Sequence, residues 1–243
     1  MNAYVGKLAA IYDLIYADLS GDSELMVEYL RGVTDGDRVL EFAIGTGRLA
    51  FPLSYGGFDV TGIDTSTEML DILIEKDEDR RLHASEGDMI ADGPSAESFD
   101  LVLLMCNTLF VAQNLREQAS IFANAEQSLA DGGAFVLETF NPLLYLTPTH
   151  TSFQMRRLSR EKTLLEQFSV DPVGQTLHAF NTVLDEVGAF SFEQTVRYMF
   201  PNEMDAVAAG AGLSLDRRIA DWTGARYAPT SPRCISLYRR SLV

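Results

Sequence analysis

The stretch VLEFAIGTGRLAFPLS, Val39 to Ser54, decides how the chain is organised. It begins as an apolar strand, breaks at two glycines and resumes with the spacing of a helix. Glycines at the junction between a strand and a helix allow a tight turn, and they also allow backbone N–H groups to approach a bound ligand closely. The stretch by itself leaves both interpretations open, so the residues around it must decide between them.

Strands and helices alternate on the C-terminal side of this stretch. Apolar segments predict five strands with helical patterns between them, at 38–43, 58–64, 82–88, 99–107 and 134–140. The fourth segment, FDLVLLMCN, is continuously apolar, which is typical of a parallel strand covered on both faces. The alternation therefore predicts an α/β fold with a Rossmann-like doubly wound sheet, whose ligands bind beyond the carboxyl ends of its strands.

The pattern changes after Asn141. Residues 151–200 contain several segments of period two, separated by turn residues, which predicts an antiparallel meander. A helix and two further strands follow it. We therefore predict one domain formed by residues 1–140 and 201–243, with an antiparallel β insertion at 141–200.

Composition excludes several classes of function. The chain carries 35 acidic and 19 basic residues, a net charge of −16, so it is a poor partner for nucleic acid. Its two cysteines and three histidines show no spacing that is typical of a metal site. No apolar run reaches the ~18 residues of a membrane span, and no cleavage site follows the first residues. We expect a cytoplasmic protein with small-molecule partners.

A carboxylate supports the cofactor interpretation of the glycines. Asp64 ends the second predicted strand, 19 residues after Gly45, where it can accept both hydroxyls of a ribose. Residues 45–50 also fit G-x-G-x-x-A, so an NAD(P)-dependent oxidoreductase is one alternative. Glu41 inside the first strand, and the Gly-Asp-Met turn at 87–89, favour a different nucleoside cofactor.

Longer segments carry a specific resemblance. VLEFAIGTGRLAFPLSYGGFDVTGIDTSTEML resembles the first two motifs of class I S-adenosylmethionine-dependent methyltransferases, and EGDM, FDLVLLMCNTLF and LADGGAFVLETFNP resemble the next three. The resemblance implies a seven-stranded sheet of order 3-2-1-4-5-7-6 with strand 7 antiparallel. The insertion after strand 5 is similar to that of amino-sugar N-methyltransferases. The implied function is methyl transfer from S-adenosyl-L-methionine to a nitrogen or oxygen of a small acceptor, with a non-catalytic cofactor-binding module as a second alternative.

The resemblance also implies which residues bind the cofactor. Gly45 and Gly47 would lie against its methionine part and ribose, and Asp64 would bind the ribose hydroxyls. Glu41 would contact the amino group or the glycine loop, and Asp88 would accept from the adenine amino group. The complete predicted set is Tyr12, Tyr16, Glu41, Gly45, Thr46, Gly47, Asp64, Thr65, Met69, Asp88, Met89, Asn107 and Leu109.

One position departs from the family pattern. The family usually has a glycine where this chain has Ala43. Alanine is tolerated there if its φ is negative, whereas a positive φ would strain the loop. We expect the negative φ.

The acceptor side is less defined by the sequence. An amine or hydroxyl acceptor needs a base, and the candidates are Glu138, Asn141, His150 and Tyr198, of which we predict His150 and Tyr198 as the catalytic residues. Aromatic residues at 153, 168, 222 and 227 are candidates for the acceptor pocket. The acidic composition is compatible with an amine-bearing acceptor, and the edges of the meander offer a homodimer contact.

Overall fold

Two β-sheets organise the protein, for which a computed structural model describes residues 6–16, 22–92 and 98–241. The larger sheet contains β1 Arg38–Phe42, β2 Asp59–Asp64, β3 Leu82–Glu86, β4 Phe99–Leu104, β5 Leu129–Phe140, β10 Leu213–Ile219 and β11 Arg233–Arg240. The smaller sheet contains β6 Thr151–Arg157, β7 Thr163–Asp171, β8 Thr176–Asp185 and β9 Gly188–Arg197. The helices are α1 Lys7–Ile15, α2 Ser23–Arg31, α3 Ala50–Tyr55, α4 Thr67–Lys76, α5 Leu115–Ser128 and α6 Pro201–Gly210, with 3₁₀ turns at Thr108–Val111 and Pro142–Leu144.

The order of the larger sheet confirms the predicted fold class. The strands lie in the order β3-β2-β1-β4-β5-β11-β10, with β1 to β5 parallel and β11 antiparallel to both of its neighbours. Strand order reverses beside β1, between β2 and β4. The carboxyl ends of β1, β4 and β5 therefore open onto one crevice, which is where a doubly wound sheet binds its ligand.

Helices cover both faces of the larger sheet. Leu101, Val102 and Leu103 in β4 are completely buried, which explains why that strand is apolar at every position. Buried side chains of α2, α3 and α4 pack on one face, and those of α5 and α6 pack on the other. Among the described residues, no helix is long and apolar enough to cross a membrane.

Two predicted strand boundaries were wrong by three residues or more, and left-handed backbone conformations explain both. β4 ends at Leu104 instead of residue 107, because Cys106 and Asn107 adopt φ of 55° and 67° and leave the sheet. β5 begins at Leu129, directly after α5, instead of at residue 134. Gly132 has a φ of 76°, which lets the strand bulge and continue its pairing.

The smaller sheet is an antiparallel meander, as the period-two pattern predicts. Its inner face packs against α1, where Leu164 and Val183 contact Leu8 and Ile15. Its outer face leaves large apolar side chains in solvent, and Phe153 is 73% exposed.

Candidate active site

The carboxylate of Asp64 connects the end of β2 to the glycine loop that follows β1. Its Oδ2 accepts from the N–H of Gly45 at 2.9 Å, and its Oδ1 accepts from the N–H of Ser66 at 2.8 Å. Burial raises the pKa of this carboxyl above its usual value, although the backbone N–H groups act to lower it. Each oxygen retains a lone pair, so the carboxylate can also accept from two ligand hydroxyls.

The glycine loop requires a left-handed residue at Ala43. The φ of Ala43 is 56°, so the expected negative value was wrong. The chain turns back sharply after β1, and the N–H of Ile44 then donates to the carbonyl of Ile63 at 3.0 Å. Gly45 and Gly47 are also left-handed, with φ of 57° and 78°. Of these three positions, Ala43 is the one with a steric cost.

Replacing Ala43 with glycine is therefore expected to stabilise the protein. Relief of the left-handed alanine exceeds the loss from the more flexible unfolded chain, which gives a net gain of about 0.5 kcal/mol in the free energy of unfolding. Chemical denaturation measures it. The control, Ala119→Gly inside α5, should lose about 1 kcal/mol, because that position is helical. An equal loss of unfolding free energy in Ala43→Gly and Ala119→Gly would show that Ala43 is not strained.

Two adjoining pockets open beside this loop at the carboxyl ends of the strands. The glycine-loop pocket is lined by Tyr12, Glu41, Ala43, Arg48, Cys106 and Thr108, among others. The Glu138 pocket is lined by Asp22, Met26, Arg48, Cys106, Glu138, Trp222 and Arg233, among others. Arg48, Leu49 and Cys106 belong to both pockets, so they form the wall between them.

The polar part of this wall is a cation and a neutral thiol. Nη2 of Arg48 donates to Sγ of Cys106. Burial raises the pKa of the Cys106 thiol to about 12, so the sulfur stays protonated near neutral pH and is a poor nucleophile. Nε and Nη1 of Arg48 are buried, and neither has a hydrogen-bond partner among the described residues.

Glu41 lies in the glycine-loop pocket as a buried acid. Burial raises its pKa to about 8, with a further increase from Asp64 and a decrease from Arg48. Its Oε2 lacks a hydrogen-bond partner within the described part of the chain. Glu41 is therefore largely protonated near neutral pH.

The raised pKa of Glu41 makes stability depend on pH. The folded chain holds this proton more tightly than the unfolded chain, in which the pKa is near 4.5. The resulting stabilisation is complete below pH 4.5 and is lost as the pH rises to about 8. Relative to Glu41→Gln, the wild type should lose a few kcal/mol between these limits, on the order expected from the shift. Denaturation curves at pH 5, 6.5 and 8 measure the difference.

An exposed acid provides the control for that pH series. Glu75→Gln, on the exposed side of α4, should leave the wild-type pH dependence unchanged. A wild-type curve parallel to that of Glu41→Gln would show that Glu41 does not titrate in this range.

Helix α1 is fastened over the glycine loop. Oγ1 of Thr46 donates to the Asp13 carboxylate at 2.6 Å, and Lys76 forms an ion pair with the same carboxylate. Tyr12, one residue earlier, lines the glycine-loop pocket. The ring of Tyr16 lies 4.7 Å from that of Tyr12 and packs on the smaller sheet instead.

The other predicted cofactor residues lie around the crevice in different roles. Asp88 caps the turn after β3, where its Oδ1 accepts from the N–H of Ile90 at 2.8 Å. The carbonyl of Met89 accepts from Asn124 at 2.9 Å. Asn107 holds the end of β5, since its N–H donates to the carbonyl of Glu138 at 3.1 Å.

Of the predicted cofactor residues, Tyr12 and Glu41 line the glycine-loop pocket, and the others line neither pocket. Met69 and Leu109 are buried core residues. Thr65 is exposed, and its backbone N–H helps to lower the pKa of Asp64.

The two predicted catalytic residues also lie outside both pockets. His150 is exposed in the loop before β6, and its backbone N–H donates to the carbonyl of Thr147. Tyr198 is buried in the core, with its ring 5.6 Å from that of Phe200. Of the predicted acceptor-side aromatics, Trp222 lines the Glu138 pocket. Phe168 is in the core, Phe153 is on the outer face of the smaller sheet, and Tyr227 packs against the core.

The sequence reasoning missed four residues of the site. Arg48 stands inside the glycine motif, and a lone cation before an apolar helix was a usable signal. Asp13 had no such signal. Asp22 and Arg233, which form an ion pair, are 211 residues apart, so only the fold brings them together.

Comparisons with known proteins agree with this geometry. A family model described as a methyltransferase domain matches residues 39–133. The solved structure of the CcbJ methyltransferase from Streptomyces caelestis is 32% identical, covers 91% of this chain and 90% of its own, and superposes with a TM-score of 0.84. The cypemycin N-terminal methyltransferase of Streptomyces sp. is 27% identical over 94% of both chains.

A more distant structure has the same fold. It is S-adenosylmethionine-bound CalS10, an amino pentose methyltransferase from Micromonospora echinaspora, which is 20% identical, covers 99% of both chains and has a TM-score of 0.73. None of these similarities favours the oxidoreductase alternative.

Proposed function

Because the chain belongs to the S-adenosylmethionine-dependent methyltransferase family, we propose that it methylates an amine nitrogen of a small-molecule acceptor. The observation that carries the proposal is Glu138, a buried carboxylate in a pocket that shares one wall with the glycine-loop pocket. The cofactor would occupy the glycine-loop side and the acceptor the Glu138 side.

The residues around the glycine loop fit the polar groups of this cofactor. Asp64 presents a carboxylate to the two ribose hydroxyls, and the loop glycines leave room for a close approach. The unpartnered Oε2 of Glu41 suits an ammonium group. When bound, the cofactor supplies a methyl group that is already activated on a sulfonium. The ring of Tyr12 in the pocket wall would add cation–π attraction of about 1 kcal/mol.

Glu138 is suited to accept the proton of an acceptor ammonium. Burial raises the pKa of its carboxyl, whereas Arg233 and Arg48 act to lower it. A carboxyl with a raised pKa is a better base than an ordinary carboxylate. Arg233 Nη1 lies 3.7 Å from Glu138 Oε1 and also pairs with Asp22, so it orients the carboxylate towards the pocket.

The walls of the Glu138 pocket favour an amine over a bulky apolar group. Asp22 and Glu138 supply two carboxylates, while Met26 and Trp222 supply apolar surface that excludes water. Alignment of the nucleophile in such a site provides much of the acceleration. One protein named above is an N-terminal methyltransferase by its name, and another is an amino pentose methyltransferase, so the named acceptor of each carries an amine, which supports an amine-bearing acceptor here.

A labelled transfer assay tests the proposal. The enzyme is incubated with methyl-tritiated S-adenosylmethionine and a panel of amino sugars, short peptides with free N-termini, and the corresponding hydroxyl compounds. We expect label on amines and none on their hydroxyl counterparts. Label on hydroxyl compounds alone would overturn the amine assignment, and binding of S-adenosylhomocysteine without transfer to any compound would favour a non-catalytic module.

The insertion and the assembly remain predictions. We propose that residues 141–200 form a unit of their own that provides acceptor-side or dimer contacts, and that the protein is a cytoplasmic homodimer. The exposed apolar side chains of Phe153 and Met155 support a contact at the outer sheet face. Sedimentation velocity of the wild type and of Phe153→Ser measures the oligomeric state, and a monomeric wild type would contradict it.

A further inference from the structure

We propose that Arg48 binds the α-carboxylate of the amino-acid end of the cofactor, and so makes the site specific for a nucleoside that carries an amino acid. The inference rests on the proposed function, because it concerns the same cofactor site. Asp64 and the loop glycines recognise a nucleoside, but they do not require anything attached to its 5′ carbon. Another group of the protein must bind the substituent on the 5′ carbon.

The hydrogen bonding of Arg48 leaves donors available. One nitrogen, Nη2, donates to Sγ of Cys106, and the other two are buried without a partner among the described residues. A buried donor without a partner costs about 1–3 kcal/mol. A carboxylate is the group whose geometry best matches the fixed donors of a guanidinium.

The charge of Arg48 also lacks compensation from its two neighbours in the glycine-loop pocket. Cys106 has a pKa of about 12 and is a neutral thiol near neutral pH. Glu41, with a pKa of about 8, is largely protonated there. Glu138 acts on Arg48 from the other pocket, so the side of Arg48 that faces the glycine loop is the one without a charged partner in the described part of the chain. Buried cations in proteins are paired, and a ligand carboxylate would provide an anion on that side.

The positions of Arg48 and Glu41 would set the orientation of the amino-acid end of the cofactor. Arg48 and Glu41 line the same pocket, where Arg48 has two donor nitrogens and Glu41 one oxygen without a partner among the described residues. An α-amino acid presents a carboxylate and an ammonium on the same carbon. Recognition at Arg48 would therefore hold this end against the wall shared with the Glu138 pocket.

Calorimetric titration with two ligands tests the role of Arg48. The ligands are S-adenosylhomocysteine and its decarboxylated analogue, which keeps the amine. The wild type should prefer S-adenosylhomocysteine by about 10- to 100-fold, the range expected of hydrogen bonds to a charged group. Arg48→Met should remove the preference by weakening S-adenosylhomocysteine alone, and Arg48→Lys should retain part of it.

Controls separate this role from a structural one. Arg157→Met, at an exposed position of the smaller sheet, should leave the wild-type preference intact. Equal affinity of the wild type for the two ligands would overturn the inference without the need for any variant. An unchanged preference in Arg48→Met, or an equal weakening of both ligands, would overturn it too. If the wild type binds neither ligand, the proposed function fails as well.

Discussion

The Asp64→Ala variant is expected to bind S-adenosylhomocysteine at least about a hundredfold more weakly than the wild type. The substitution removes the carboxylate that accepts from the backbone N–H groups of Gly45 and Ser66, and it removes the proposed contact with the ribose. Hydrogen bonds to a charged group contribute about 1.5–3 kcal/mol each, so the loss of two or more accounts for this factor. Calorimetry at a temperature where both proteins are folded measures it.

A second acid on the same strand is the control. Asp59 stands at the exposed start of β2, and Asp59→Ala should leave the affinity unchanged. The decarboxylated analogue should weaken as much as S-adenosylhomocysteine in Asp64→Ala, because both carry the ribose. This pattern differs from that of Arg48→Met. Micromolar binding that survives the loss of Asp64 would reject the ribose assignment.

The Glu138→Gln variant is expected to lose about 100- to 1000-fold in kcat while its affinity for S-adenosylhomocysteine stays within about threefold. Glutamine keeps the shape of the side chain but cannot accept a proton from an ammonium. The wild-type rate should rise with pH as Glu138 loses its proton, and the variant should lack this rise. The measurement is a pH profile of kcat with the best amine of the panel.

Glu126 offers a matched control for Glu138. It also pairs with an arginine of β11, since Arg240 Nε lies 2.7 Å from its Oε1, but it stands apart from both pockets. Glu126→Gln should keep the wild-type profile. If Glu138→Gln also keeps its rate, the base lies elsewhere, and His150→Ala and Tyr198→Phe become the next variants to measure.

The sheet could be predicted because its pattern is local. Each strand has its own apolar run of residues. The glycine loop marks the end of β1 and Asp64 marks the end of β2, so the position of the crevice could be predicted from the order of the strands and helices. The φ of Ala43 could not be predicted in this way. The path of the loop sets it, and alanine has no preference that reveals a left-handed turn.

Most residues of the Glu138 pocket could not be predicted from the sequence, for two physical reasons. The apolar sequence of β4 continues to Cys106. The sequence therefore contains no signal for the left-handed turn at Cys106, which brings its thiol into contact with Arg48. The ion pairs of Arg233 with Asp22 and Glu138 join three distant parts of the chain. Polar residues so far apart share no spacing, and their meeting depends on the antiparallel placement of β11.

The position of β11 also has a consequence for synthesis on the ribosome. This strand is the last of the sheet, yet it inserts between β10 and β5, and Arg233 at its start completes the Glu138 pocket. A nascent chain that has already folded β1 to β5 therefore has the nucleoside crevice but an unfinished acceptor pocket. If the proposed roles of the two pockets hold, the growing chain gains affinity for the cofactor before it can methylate an acceptor, and transfer begins only after β11 has left the exit tunnel.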